Sequence, residues 1–102
     1  MKSKLEKMAI DNGACIYEGE RYILTQQAYI DGPVDDPVYR AMAIRESDKP
    51  DEDGWQAAYE IEWDLLADYV PEQSDESCAC DWEHADRVRT VGEYSVEMSR
   101  FA

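Results

Sequence analysis

The sequence predicts an α+β fold, with a short N-terminal helix packed on a small antiparallel meander sheet of three to five strands, in one acidic domain over residues 1–102. Three observations predict it. Ser3-Lys4-Leu5-Glu6 is a capping box in front of an apolar stripe. From Trp55 to Leu65 apolar and polar residues alternate, the period of a strand. Segments 21–30, 38–46 and 55–65 are joined by short, turn-rich connections, which favours antiparallel neighbours.

Taken in order, Ser3 and Glu6 start a helix over 3–12 that carries Leu5, Met8 and Ala9 on one face. Asn12-Gly13 stops it. Ala14 to Tyr17 reads as a short strand turning at Glu18-Gly19-Glu20, and Arg21 to Ile30 as a longer strand rich in Tyr, Ile, Thr and Leu. Asp31-Gly32-Pro33 breaks that strand, and Asp36-Pro37 ends the connection. Val38 to Glu46 is the next strand, with Arg40 and Arg45 on opposite faces. Ser47 to Gly54 is a polar hairpin loop. In 55–65, Trp55, Ala57, Tyr59, Ile61, Trp63 and Leu65 form an inner aromatic face, and Glu60, Glu62 and Asp64 an acidic outer one. Glu72 to Ser77 is an acidic loop. In 86–98, Thr90-Val91-Gly92-Glu93 resembles a cap, but Tyr94, Val96 and Met98 alternate, which favours a final short strand.

The hydrophobic fraction is 44%, with three Trp, seven Tyr and one Phe, enough for a core and unlike a disordered acidic tail. No apolar run approaches the ~20 residues that span a bilayer. Met1-Lys2-Ser3-Lys4 lacks the apolar region of a signal peptide, so a cytoplasmic location is expected. No phosphate loop, HExxH or Ser/His/Asp order is present, and the expectation is a binding protein rather than an enzyme.

Charge is the most asymmetric property. The formal net charge is -14, and residues 50–102 hold fifteen acidic and three basic residues. Between Pro50 and Asp86 there are thirteen Asp or Glu and no Lys or Arg. Such a balance repels nucleic-acid phosphates and anionic membranes and points to a basic protein partner. The expected contacts are Asp51, Glu52, Asp53, Glu60, Glu62, Asp64 and Asp68. Alternate carboxylates on one strand face stand ~6.6–6.8 Å apart, about two base-pair rises of ~3.4 Å, a spacing that mimics DNA.

The three cysteines and single histidine, Cys15, Cys78, Cys80 and His84, equal a Cys3His set, the complement of a structural Zn2+ site. Cys78-Ala79-Cys80 and His84 lie within seven residues, and Cys15 would join them from the other end of the chain. The competing reading is three unrelated thiols, with Cys15 a small core residue.

The stretch Tyr22-Ile-Leu-Thr-Gln-Gln-Ala-Tyr-Ile-Asp-Gly-Pro-Val-Asp-Asp-Pro37, with Cys80-Asp81-Trp82 and Val91-Gly92-Glu93-Tyr94, resembles small acidic proteins of phages and integrative mobile elements of Firmicutes, among them the type II-A anti-CRISPR proteins that inhibit Cas9. The resemblance implies a basic partner, Cas9, in a bacterial host cell, and an acidic face that blocks DNA or guide RNA engagement. The alternative is a zinc-stabilised structural or accessory interaction module of a mobile element, without nucleic-acid mimicry.

Overall fold

The structure, a computed structural model, describes residues 3–67, 69–70, 75–98 and 100–101. The expected acidic loop 72–77 therefore lies partly outside the described residues. Helix α1 spans Lys4–Asn12. Ser3 caps it, its hydroxyl accepting the Glu6 amide at 3.2 Å. Gly13 ends it, with φ 104° and its N–H donating to the Ala9 carbonyl at 2.9 Å, a backbone state that glycine adopts without strain.

Seven strands follow: β1 (Ala14–Tyr17), β2 (Glu20–Leu24), β3 (Tyr29–Asp31), β4 (Val38–Arg45), β5 (Trp55–Asp64), β6 (Arg87–Ser95) and β7 (Arg100–Phe101), with a 3-10 turn at Glu76–Cys78 between β5 and β6. All strand pairs are antiparallel, in the order β1-β2-β4-β5-β6-β7, and β3 pairs with β4 on the edge that β2 also uses. The α+β class and the meander β4-β5-β6 match the expectation; the sheet has more strands than the three to five expected.

Two differences account for the extra strands. Leu24 pairs with Ala43 and Tyr29 with Arg40, so four residues (25–28) face two (41–42). The surplus loops out, and the expected single strand 21–30 becomes β2 and β3. Thr25 remains tied to the Met42 carbonyl by its amide (2.9 Å) and hydroxyl (3.1 Å), and Gln27 donates to the Asp11 carbonyl at 2.5 Å. The expected short final strand is instead nine residues long, followed by β7. Its register against β5 shifts between Ala58 and Tyr59, where Val91 is the extra residue. That bulge reverses which face later residues take: Val88 joins the core with Ile61, whereas Tyr94 joins the opposite cluster.

The sheet is covered on both sides. One face buries Cys15, Tyr22, Leu24, Tyr39, Ala41, Ala43, Tyr59, Ile61 and Trp63 under Ala79 and Cys80, with Leu65, Tyr69, Trp82 and Ala85 closing over them. The described residues of the 65–86 connection thus form a lid that carries core residues. Leu66 N–H to Ala79 O (2.8 Å) closes it on itself, and it is fastened to the sheet by two bonds, Ile16 N–H to Glu83 O (2.7 Å) and Ala85 N–H to Ile16 O (3.1 Å). The last two cover the outer edge of β1, an edge that would otherwise present unpaired backbone groups. The other face holds Ile23, Ile44, Ala58 and Tyr94 beneath Leu5, Met8 and Ala9 of α1. The first half of β5 is therefore buried on both sides, with Gln56 and Ala58 inside, and only its second half turns carboxylates outward.

Ile61→Ala, at a fully buried position, should cost about 2–5 kcal/mol in denaturant unfolding. Val34→Ala, at a fully exposed position, should stay within about 0.5 kcal/mol.

Candidate binding surface

Side chains alternate along β5, so Glu60, Glu62 and Asp64 share one face of the sheet. The register brings Arg40 opposite Glu62 on one side, and Arg87 and Arg89 opposite Glu62 and Glu60 on the other. The result is a ladder of ion pairs. Asp31 of β3 accepts from Arg40 at 2.7 Å, and Arg40 Nε donates to Glu62 at 2.6 Å. Arg87 Nε donates to the other Glu62 oxygen at 2.7 Å, and Arg87 Nη2 donates to Asp64 at 2.5 Å. Arg89 holds Glu60 from 2.8 Å. Glu60 and Glu62 are only 14% and 17% exposed at the side chain, so these carboxylates are largely shielded from a partner.

This corrects the expectation of a negative plate free of cations. The sequence window 50–86 contains no Lys or Arg, but Arg40, Arg87 and Arg89 enter the face from strands on either side. Charge-assisted hydrogen bonds, two from Arg40, three from Arg87 and one from Arg89, hold these carboxylates in place. Arg87 first, and Arg40 after it, hold the Glu62 carboxyl below the usual range against the opposing effect of burial. Arg87 does the same for Asp64. The Gly32 amide and then Arg40 lower Asp31.

The remaining expected contacts lie elsewhere. Asp51, Glu52 and Asp53 occupy the exposed turn before β5, at the opposite end of that strand from Asp64. Nine strand steps of ~3.3 Å put the two ends about 30 Å apart. Asp51 is committed to the turn itself, accepting the Asp53 and Trp55 amides at 2.9 Å each. Glu52 and Asp53 make no ion pair with Lys or Arg among the described residues. Glu97 approaches the same turn, its carboxylate oxygen 3.7 Å from where a Cβ on Gly54 would stand. Asp68 lies outside the described residues.

The four candidate metal ligands are distributed through the lid and β1. Cys15 and Cys80 are buried in one core cluster, and burial pushes their thiols up to about 12 and about 11. Cys78 is exposed beside Ser77, and His84 Nδ1 meets Asp81 at 3.1 Å. Among the described residues no three His, Cys, Asp or Glu side chains form a group that could hold a metal ion. The arrangement of Cys15 and Cys80 is that of small core residues.

Two features were missed from the sequence. Arg45 lies over the stacked rings of Tyr59 and Tyr22, 4.8 and 5.4 Å from their centroids, and donates to the Tyr22 hydroxyl at 3.0 Å. The alternation of β4 places Arg45 on this face, but its ring partners come from β2 and β5. The second is Trp63, fully buried, whose Nε1–H has no acceptor among the described residues. Comparison with family models, curated proteins and solved structures finds no match to this chain.

Lowered folded-state values mean that the ladder stabilises the protein above the ordinary carboxylate range, and that this contribution fades as pH falls through the folded values. Arg87→Gln should raise the titration of Glu62 and Asp64 toward ordinary values in carbon-detected NMR. Its stability deficit against the parent protein should be largest above about pH 5 and should close as the carboxylates protonate.

Proposed function

We propose that this chain is a non-catalytic binding protein that docks its unpaired carboxylates on a basic surface of a nucleic-acid-handling protein. The observation that carries the reading is the division of charge. Of 24 Asp and Glu, six are held by Arg in ion pairs among the described residues: Asp31, Glu46, Asp48, Glu60, Glu62 and Asp64. Five of the ten Lys and Arg are spent on those six. Nearly all of the net -14 therefore comes from other carboxylates, with exposed ones on the turn before β5 (Glu52 and Asp53) and on the lid (Glu83). A surplus of that size disfavours the compact state through self-repulsion and gains from a cationic partner, which it also attracts at long range. The resemblance drawn above makes Cas9 the first partner to test, with the acidic turn competing for a surface that DNA or guide RNA would occupy. Binding to purified Cas9, with and without guide RNA, should be saturable and weaken with salt. Glu52→Lys combined with Asp53→Lys should weaken it by about tenfold or more and flatten the salt dependence. Glu60→Gln should leave affinity near the parent value while lowering stability. No binding to either form of Cas9, or equal binding by the double reversal, would remove this reading.

A second reading, the zinc-stabilised interaction module, is favoured by one observation. The lid docks so that Cys80 joins the cluster of Cys15 while His84 pairs with Ile16, the residue after Cys15. A metal clip would tie the same two parts of the chain, provided Cys78 and His84 turned inward and the thiols ionised. Native mass spectrometry of protein refolded with Zn2+ should then show one bound ion, lost on Cys15→Ser, and a chelator should lower the melting temperature. A metal-free mass with unchanged melting leaves the acidic-binder reading alone in place.

A further inference from the structure

A cleft of about 190 Å3 opens between the end of α1, residues 27–28 and the 77–82 part of the lid. Its floor is Trp63 and Leu24, both buried, and Trp82 stands against Trp63 with ring centroids 5.2 Å apart. Gln27 and Ser77, both exposed, stand at its mouth. No Asp, Glu, Lys, Arg or His lines it. Each of the other described clefts includes charged side chains, such as Lys4, Glu18, Asp36 or Arg21. In a chain of net charge -14, an uncharged, Trp-lined cleft is selective for an uncharged ligand, since an ion entering it would lose water without gaining a counter-charge.

The polar groups around the cleft define the ligand further. The Nε1–H of Trp63 is buried without an acceptor, an uncommon state for a group that can only donate. Asn12 donates to the Leu24 carbonyl at 3.1 Å and Gln27 to that of Asp11 at 2.5 Å, while their own side-chain oxygens accept nothing among the described residues. The lining thus includes Trp63, which carries this unmet donor beneath the cleft surface, and the carboxamides of Asn12 and Gln27. A cavity of roughly 150 Å3 accommodates benzene, so this one has room for a single ring with a small polar substituent.

We propose that this cleft binds a small neutral aromatic amide. The ring lies against Trp63 and Trp82, the carbonyl oxygen accepts from Trp63 Nε1–H, and the amide N–H groups donate to Asn12 or Gln27. Nε1 is buried in the ligand-free fold, so that first bond requires the indole to turn toward the cleft. The site is separate from the carboxylates of the acidic turn, so its test does not depend on the partner.

The test is an NMR titration of 15N-labelled full chain with benzamide, benzoate and benzamidine, three probes of one shape and different charge. The three indole N–H signals report separately, and Trp55, remote from the cleft and next to Arg100, is the internal control. Benzamide should shift Trp63 and Trp82 saturably and leave Trp55 in place, with benzoate and benzamidine weaker by about tenfold or more. Ala28→Leu and Ser77→Phe obstruct the cleft from two sides, and each should abolish the shifts while keeping the dispersion of a folded spectrum. The proposal is overturned by the absence of a saturable Trp63 shift at millimolar benzamide, by equal shifts at Trp55, by equal affinity for all three probes, or by benzamide binding that survives in the folded obstructing variants. If neither variant folds, the selectivity among probes and among indoles in the parent protein decides.

Discussion

The pairing register of β5 is the constraint on which the molecule rests. A strand has a side-chain period of two, so a slip by one residue exchanges its faces. In β5 such a slip would place Tyr59, Ile61 and Trp63 on the charged side and drive Glu60 and Glu62 into an apolar core. Both errors are costly, the first by lost burial and the second by unpaired buried charge. The neighbours reinforce the same register: Ala41 and Val88 meet Ile61 on one face, and Arg40 and Arg87 meet Glu62 on the other. The aromatic core and the ion-pair ladder are therefore two faces of one set of backbone hydrogen bonds.

That register divides the charge of the protein into two populations. Glu60 and Glu62 of β5 are partly buried, and they and the neighbouring Asp64 each accept from at least one guanidinium. Removing one partner from such a network costs more than the net value of the pair, because the other charge stays behind. Glu52 and Asp53 on the turn before β5 and Glu83 on the lid are exposed, and water screens their mutual repulsion. This second population can meet a partner without first breaking internal ion pairs.

The lid shows how an irregular segment becomes integral to a small domain. It supplies Ala79, Cys80, Trp82 and Ala85 to the main core and backbone bonds to β1. Cys80 of the lid is thereby drawn inward beside Cys15 of β1, and desolvation keeps both as thiols. The same docking creates the uncharged cleft beside Trp63, since one wall comes from the sheet and the other from the lid.

What the sequence alone determined was local and periodic. The Ser3 cap, the Gly13 stop, the alternation of β5 and the α+β class follow from interactions within a few residues, where spacing fixes geometry. The opposite orientation of Arg40 and Arg45 followed in the same way. Only the tertiary structure decided which neighbours those local elements receive. Arg40 and Arg87 are 22 and 25 residues from Glu62, so a charge count along the chain saw an uninterrupted acidic run where the sheet forms neutralising pairs. The excess of residues 25–28 over 41–42, and of Val91 over the Ala58–Tyr59 step, exists only relative to a partner strand. The cleft and its unmet Trp63 donor likewise arise where four distant segments converge. Pairing and packing energies act through space, and a sequence records only the candidates for them.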